Sequence, residues 1–158
     1  MNTDAGFGKT TILKHFSDIL YEQEIYDSYG QLQTLVVIYI LMYDINMMPS
    51  VDIEKGPIIE LLRKENIFDH SIDQAGIYEM IKKDTTYRYV FLLDGIDEVQ
   101  NRILGIDSIY SIIETEIMRL MTYSNVDVIA CARSENILSK RMFVCEDSER
   151  ATLKVIRL

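Results

Sequence analysis

The sequence predicts an α/β fold in which a mainly parallel sheet is covered by helices. Short runs of β-branched, aromatic and other apolar residues, typical of buried strands, alternate with segments whose apolar residues recur at helical spacing. A glycine-rich stretch at the start of the chain leads directly into the first helical segment. Because regular alternation of strand and helix is typical of parallel sheets, these observations favour the α/β class.

Each predicted element follows from a local pattern. Apolar residues at helical spacing indicate the helices, Pro57 favours the first turn of one of them because its φ is fixed, and β-branched residues indicate the strands. The polar stretch 26–30 ends the first helix, and Ser124 with Asn125 separates a long helix from the next strand. In chain order we predict helix 10–24, strand 32–40, a helix from 57, helix 76–83, strand 89–93, helix 109–121, strand 126–131, helix 135–142 and strand 152–156.

Length and composition limit the classes of protein that this chain can represent. Its 158 residues suit one domain, and a net charge of −9 opposes binding to nucleic acid, which needs clustered Lys and Arg. Two cysteines without zinc-type spacing favour reduced thiols in the cytoplasm. No secretory signal is visible, and the longest apolar run, 35–43, is far shorter than the ~20 residues of a transmembrane helix. We therefore expect a cytoplasmic protein that binds neither nucleic acid nor membrane.

The glycine-rich stretch is typical of a phosphate-binding loop. In such a loop the backbone N–H groups and the N-terminus of the following helix point at phosphate oxygens, a lysine reaches the β and γ phosphates, and a hydroxyl binds Mg²⁺. The strict pattern begins with a glycine where this chain has Thr3, so the match is partial, and a chance Gly-Lys-Thr at a helix start is the alternative. We predict that a nucleotide is bound by Ala5, Gly6, Phe7, Gly8, Lys9, Thr10 and Thr11, with Thr10 also a ligand of Mg²⁺.

A cluster of acidic residues follows the predicted strand 89–93. Ligands of open α/β sheets bind beyond the carboxyl ends of the strands, so we predict that Asp94 is a second protein ligand of Mg²⁺. Asp97 and Glu98 come shortly afterwards, and we predict that one of them orients or deprotonates the water that attacks the γ phosphate. A solvated acidic turn after a core strand is the alternative interpretation.

Arg133 follows the predicted strand 126–131. If this strand runs parallel to strand 89–93, the arginine lies at the same edge of the sheet as Asp94. We predict that it contacts the γ phosphate and so senses whether that phosphate is present. An ordinary solvated arginine is the alternative.

Together these motifs resemble the NACHT family of P-loop NTPases, which belongs to the STAND signalling class and includes the nucleotide-binding switches of innate immune receptors. Residues 94–98, Asp-Gly-Ile-Asp-Glu, are similar to the family's Walker B motif, and residues 4–11 are similar to its Walker A motif. Residues 128–134 resemble the sensor 1 strand. That strand normally ends in a Thr-Ser-Arg-Pro type sequence, and here Cys-Ala-Arg-Ser keeps only the arginine.

The resemblance implies the three-layer sandwich of P-loop NTPases, with the sheet order 5-1-4-3-2. The family places strand 1 immediately before Walker A, so we expect residues 1–158 to be a partial NACHT domain. It would lack that strand, and also the helical and winged-helix segments that in the family come after the position of Leu158. Because the absent strand belongs beside the sensor strand, we expect the last strand to pair directly with the sensor strand, or a sheet edge to lie open and weaken the fold.

The function that the resemblance implies is a nucleotide-controlled switch in innate-immune or defence signalling. ATP with Mg²⁺ would favour one arrangement of the flanking domains, ADP another, and slow hydrolysis of ATP would reset the balance. The partners implied are the nucleotide, the flanking domains and, on activation, further copies in a homo-oligomer.

Two other functions remain open. A nucleotide-inert scaffold is one, because Thr3 departs from the strict Walker A pattern. A P-loop kinase of small molecules is the other, although it needs an acceptor pocket and an arginine-rich lid, and the sequence shows neither.

Overall fold

The computed structural model describes residues 9–21, 24–27, 29–69, 71–131 and 154–155, and for residues 9, 10, 12, 21, 154 and 155 it describes the backbone alone. The helices are α1 Lys9–Tyr21, α2 Ser50–Ile53, α3 Pro57–Lys64, α4 Gln74–Lys83 and α5 Ile109–Met121, with 3₁₀ helices at Met42–Met47 and Ile96–Glu98. The strands are β1 Ile25–Tyr26, β2 Leu32–Leu41, β3 Tyr87–Asp94, β4 Ile103–Leu104, β5 Asp107–Ser108, β6 Val126–Cys131 and β7 Lys154–Val155.

One mixed sheet forms the centre of the molecule, with the strand order β1-β2-β3-β6-β7. The strands β2, β3, β6 and β7 run parallel to their neighbours, and β1 joins the outer edge of β2 in the antiparallel direction. Strands β4 and β5 form a separate hairpin. The mixed α/β content therefore agrees with the sequence analysis, and the P-loop fold stays a prediction.

The last described strand, β7, pairs directly with β6, through Ile129 with Lys154 and Ala130 with Val155. This is one of the two arrangements that we expected for the end of the chain. Among the described residues the sheet contains five strands, but the fifth is the two-residue β1 at the opposite edge, and β6 and β7 are direct neighbours.

Several predicted boundaries change. Helix α1 is described as Lys9–Tyr21, whereas we predicted a helix to about residue 24, and the short strand β1, which has no clear pattern of its own, follows at Ile25–Tyr26. Helix α3 begins at Pro57, which confirms the expectation from its fixed φ. Strand β3 starts two residues earlier than predicted, because Tyr87 and Arg88 continue the ladder with β2. The predicted helix 135–142 lies outside the described residues.

Helices cover both faces of the sheet. On one face α1 packs against alternate residues of the central strands, which is the two-residue period expected of a strand. That cluster consists of Leu13, Val90, Leu92, Ile129 and Cys131, with Phe16, Leu20, Leu35, Val37 and Tyr39 at its border. On the other face α3, α4 and α5 enclose the larger core, in which Phe91, Leu93 and Ile113 are fully buried. Each such side chain contributes roughly 1.5–3 kcal/mol through removal from water.

A buried carboxylate ties helix α5 to the beginning of α3. Glu116 of α5 accepts hydrogen bonds from the backbone N–H groups of Ile58 at 2.7 Å and Ile59 at 3.0 Å, and from the Tyr78 hydroxyl at 2.7 Å. The first N–H groups of a helix have no partner within the helix, so this side chain satisfies two of them. Burial raises the pKa of Glu116, although these donors act in the opposite direction.

Gly56 precedes α3 and has a φ of 127°, in the region that favours glycine. A Cβ atom here would lie 2.7 Å from Nε2 of Gln74 and 2.9 Å from both Oε1 of Glu116 and the Tyr78 hydroxyl. Glycine is therefore required by the backbone angle and by the close approach of three side chains.

Among the residues that the structure describes, none of the helices has the length and hydropathy needed to cross a membrane.

Candidate functional site

Asp94 lies at the carboxyl end of β3, the central strand of the parallel part of the sheet. In the register of the sheet it is level with Leu41 at the end of β2 and with Cys131 at the end of β6. Its residue surface is only 7% exposed. The Tyr39 hydroxyl donates a hydrogen bond to its Oδ2 at 2.5 Å. The predicted metal ligand is thus a buried carboxylate that accepts a short hydrogen bond from Tyr39, at the edge where α/β sheets bind ligands.

The Asp94 side chain is on the face of the sheet that α1 covers. It continues the row of Val90 and Leu92, because residues two apart along a strand share a face, and both of those side chains pack in the cluster with Leu13 of α1. Tyr39 belongs to the same cluster. The helix that begins at Lys9 and the Asp94 carboxylate therefore share one face of the sheet, as a site built from both motifs requires.

A tight turn follows Asp94. Gly95 adopts the left-handed conformation with φ of 73°, and its carbonyl accepts from the N–H of Glu98 at 2.9 Å, which starts the 3₁₀ helix Ile96–Glu98. A Cβ atom at Gly95 would lie 3.0 Å from Cδ of Glu98. The glycine therefore lets the chain reverse directly after β3 and keeps the glutamate close to the sheet edge.

The two acids of this turn have different environments. Glu98 is exposed, whereas Asp97 is half-buried. Asp97 lies near Tyr110 of α5: burial raises the pKa of the Tyr110 phenol, and the nearby charge of Asp97 raises that pKa further. The Tyr110 hydroxyl in turn donates to the carbonyl of Val99 at 2.6 Å and holds the end of the turn. Of the two acids, Glu98 is therefore the more accessible to solvent.

The segment after β2 braces the acidic turn through Asn46. Its amide Nδ2 donates to the carbonyl of Glu98 at 3.0 Å, and its Oδ1 accepts from the N–H of Gln100 at 2.8 Å. Arg102 adds a bond from Nη2 to the carbonyl of Ile45 at 3.1 Å. The loops that follow β2 and β3 are therefore joined by side-chain bonds at the carboxyl edge of the sheet.

Only part of the predicted site lies within the described residues. Asp94, Asp97 and Glu98 are brought together by the end of β3 and its turn. Lys9 and Thr10 open α1, where only their backbone is described, and the Thr11 side chain is exposed on the same helix. Ala5, Gly6, Phe7 and Gly8, and also Arg133, lie outside the described residues. Strand β6 runs parallel to β3, and its last residue, Cys131, is level with Asp94.

The carboxylate oxygens that the structure describes at this site are suitable ligands for Mg²⁺ that is bound together with a nucleotide. In the part of the chain that the structure covers, no cluster of three or more His, Cys, Asp or Glu side chains forms a metal cage. Nucleotide-bound Mg²⁺ does not need such a cage, because phosphates and waters supply most of its ligands and the protein supplies one or two carboxylates. A buried, oriented carboxylate such as Asp94 fits that requirement.

A separate cavity of about 220 Å³ lies near the start of α3, and Gly56, Tyr78, Ser111, Thr115 and Arg119 contribute to its lining. The Arg119 guanidinium lies over the Tyr78 ring, 3.6 Å from its centre. Tyr78 belongs to the core on the face opposite α1. None of the lining residues belongs to β3 or its acidic turn, so this cavity is not an acceptor pocket beside Asp94.

The sequence analysis missed Tyr39 and Asn46. Tyr39 lies inside an apolar run that predicts a strand, and only the parallel register of β2 and β3 brings its hydroxyl to Asp94. Asn46 lies in an irregular polar segment, where an asparagine is expected simply as a common turn residue. For Tyr39 the sequence offered one indication of a role. A buried tyrosine hydroxyl usually has a hydrogen-bond partner, and this one lies near the end of a predicted strand.

Comparisons of this chain with family models, with curated proteins and with solved structures found no match.

Proposed function

We propose that this chain is a Mg²⁺-dependent ATP-binding domain that acts as a switch and hydrolyses ATP slowly. The observation that supports this proposal most directly is the buried Asp94 carboxylate at the carboxyl end of a central parallel strand. It lies on the sheet face covered by α1, the helix whose first described residues are Lys9 and Thr10. A phosphate-binding lysine and a metal-binding carboxylate need this common face.

The proposed roles follow the chemistry of each group. Lys9 binds the β and γ phosphates, with the loop residues Ala5, Gly6, Phe7 and Gly8 and the hydroxyl of Thr11 around them. Thr10 and Asp94 hold Mg²⁺, which when bound neutralises phosphate charge. Glu98 or Asp97 orients the attacking water, and Arg133 senses the γ phosphate.

The resemblance to NACHT proteins supports the wider proposal of a cytoplasmic signalling switch in innate immunity or defence. In that proposal ATP and ADP stabilise different arrangements of flanking domains, and activated copies assemble into a homo-oligomer. A ligand shifts such an equilibrium only by its differential affinity for the two states. Nucleotide binding is therefore the first property to test.

Mg-ATP is expected to raise the melting temperature of the chain. At an ATP concentration ten times its Kd, binding adds about 1.4 kcal/mol to the free energy of unfolding, which is a shift of roughly 3–6 °C for a domain of this size. Lys9→Ala should weaken ATP binding at least tenfold, because it removes the charge that meets the phosphates. A thermal scan with and without Mg-ATP measures both effects.

Lys14→Ala is the matched control, since Lys14 is exposed on the same helix and has no proposed role. It should keep the full ATP-dependent shift. If the unmodified chain shows no shift at millimolar Mg-ATP, the nucleotide-inert scaffold replaces the proposed function. If Lys9→Ala keeps the shift of the unmodified chain, the phosphate role of Lys9 is wrong.

Glu98→Gln should keep ATP binding and slow ATP hydrolysis about 100-fold, the lower limit of what a positioned general base contributes. The amide keeps the size of the side chain but cannot take a proton from water. Phosphate release under single-turnover conditions measures the rate. Glu65→Gln, an exposed change outside the site, should leave hydrolysis unchanged. Unaltered turnover in Glu98→Gln rules out the water-activating role of this residue and leaves Asp97 as the candidate.

A further inference from the structure

Tyr39 makes a side-chain hydrogen bond to the proposed metal ligand, Asp94, and it comes from outside both Walker-like motifs. Its hydroxyl lies 2.5 Å from Oδ2 of Asp94. In the parallel register Tyr39 is level with Leu92, and Leu41 is level with Asp94. The phenol therefore reaches diagonally along the sheet, over a distance that an aromatic side chain can span between neighbouring strands.

The geometry of this bond constrains the direction of the carboxylate. A tyrosine has only two side-chain torsions, and the partly buried ring of Tyr39 packs against the cluster beneath α1, which restricts its motion. A short hydrogen bond from this restricted donor limits the rotation of the Asp94 carboxylate about its own bond. A carboxylate has about four acceptor positions, so accepting one bond from Tyr39 is compatible with binding a cation.

We propose that Tyr39 is a positioning residue that orients Asp94 for Mg²⁺. This inference rests on the proposed function, since it assigns a role at the same site. Mg²⁺ requires near-ideal octahedral geometry, which makes its affinity sensitive to the direction of a ligand oxygen. Partners that orient metal ligands typically change metal affinity 10–100-fold when they are replaced.

The alternative role of the Tyr39 hydroxyl is to satisfy a buried carboxylate and stabilise the fold. The two roles predict different results. A contact that only stabilises the fold affects the melting temperature and leaves the Mg²⁺ requirement of nucleotide binding unchanged. A positioning contact raises the Mg²⁺ requirement and leaves the affinity for metal-free ATP unchanged, because Lys9 and the loop provide that affinity.

The test is a Mg²⁺ titration of the binding of a fluorescent ATP analogue to the chain and to Tyr39→Phe. We expect Tyr39→Phe to need about tenfold more Mg²⁺ for half-maximal enhancement of binding, with unchanged affinity when EDTA removes the metal. Tyr89→Phe is the matched control: Tyr89 is a buried tyrosine on neighbouring β3, in the core of the opposite face. This control should keep the Mg²⁺ requirement of the unmodified chain.

A double-mutant cycle makes the assignment specific to Asp94. In an Asp94→Ala background, adding Tyr39→Phe should not raise the Mg²⁺ requirement further, because the carboxylate that Tyr39 orients is gone. A further loss in that background would overturn the inference. So would an unchanged Mg²⁺ requirement in Tyr39→Phe, or an equal loss of binding with and without the metal. If the unmodified chain does not bind ATP at all, the proposed function fails, and this inference fails with it.

Discussion

Gly56→Ala is expected to lower the free energy of unfolding by about 3 kcal/mol. A side chain at this position must adopt a φ of 127°, which costs an L residue about 1–3 kcal/mol. Its Cβ atom would also lie less than 3 Å from Gln74, Glu116 and Tyr78. The first of these is the end of a flexible side chain, but the other two bond each other and cannot both move away without loss of that bond. Urea unfolding at equilibrium measures the change.

Gly30→Ala is the matched control for backbone strain alone. Gly30 has a φ of 76°, and a Cβ atom there would meet no other atom within 4 Å. We expect this change to cost about 1 kcal/mol. The difference between the two variants combines the packing around Gly56 with the greater backbone strain at its φ of 127°. Equal losses would mean that the close contacts at Gly56 contribute nothing.

Glu116→Ala is also expected to cost about 3 kcal/mol. The change leaves the N–H groups of Ile58 and Ile59 and the hydroxyl of Tyr78 without their buried acceptor. An unsatisfied buried polar group costs roughly 1–3 kcal/mol, and a cavity adds to that cost. The measurement is again urea unfolding. Glu65→Ala, at an exposed position just after α3, should change the free energy of unfolding by less than about 0.5 kcal/mol.

The pH dependence of stability provides a second measurement at Glu116. Burial raises the pKa of this carboxyl above its ordinary value of 4.5, so between that value and the folded pKa the folded chain binds more protons than the unfolded chain. Stability from this group is therefore fully present below pH 4.5 and falls as the pH rises through that window. The unmodified chain should lose stability relative to Glu116→Gln as the pH is raised from 4.5. A difference that grows in the opposite direction would contradict this expectation.

The parts of the fold that the sequence predicted well depend on local patterns. Strand β3 was predicted because the short apolar run 89–93, bounded by polar residues, is typical of a buried strand. The start of α3 was found because Pro57 has a restricted φ. The short strands β1, β4 and β5 were not predicted. Each has only two residues, which is too few to show an alternation of apolar and polar side chains.

The parts of the candidate site that the sequence predicted are those that follow one another along the chain. Asp94, Asp97 and Glu98 belong to one turn, so their proximity could be expected from their spacing. The bonds from Tyr39 to Asp94 and from Asn46 to the turn join residues more than fifty positions apart. They depend on which strands are neighbours and on the register between them, which the order of residues along the chain does not provide.

The contact of Glu116 with α3 was missed for the same reason. A glutamate among the apolar residues of a long helix reads as a solvent-facing position. Its burial follows from the way α5 packs against the beginning of α3, at a distance of 58 residues in the chain for the bond to Ile58. A carboxylate is buried at low cost only where the fold supplies hydrogen-bond donors to it. Those donors come from distant parts of the chain, so the sequence alone does not identify Glu116 as buried.

Because the acceptor for the first turn of α3 belongs to α5, these two helices cannot come apart one at a time without exposing unpaired groups. They should therefore open as one cooperative unit during native-state fluctuations. The amide protons of Ile58 and Ile59 would then exchange with solvent at the rate of that larger opening, and fraying of a short helix end would not release them. On the opposite side of the sheet, α1 has no such link to α5 among the described bonds, so α1 can open separately while α3 and α5 stay closed.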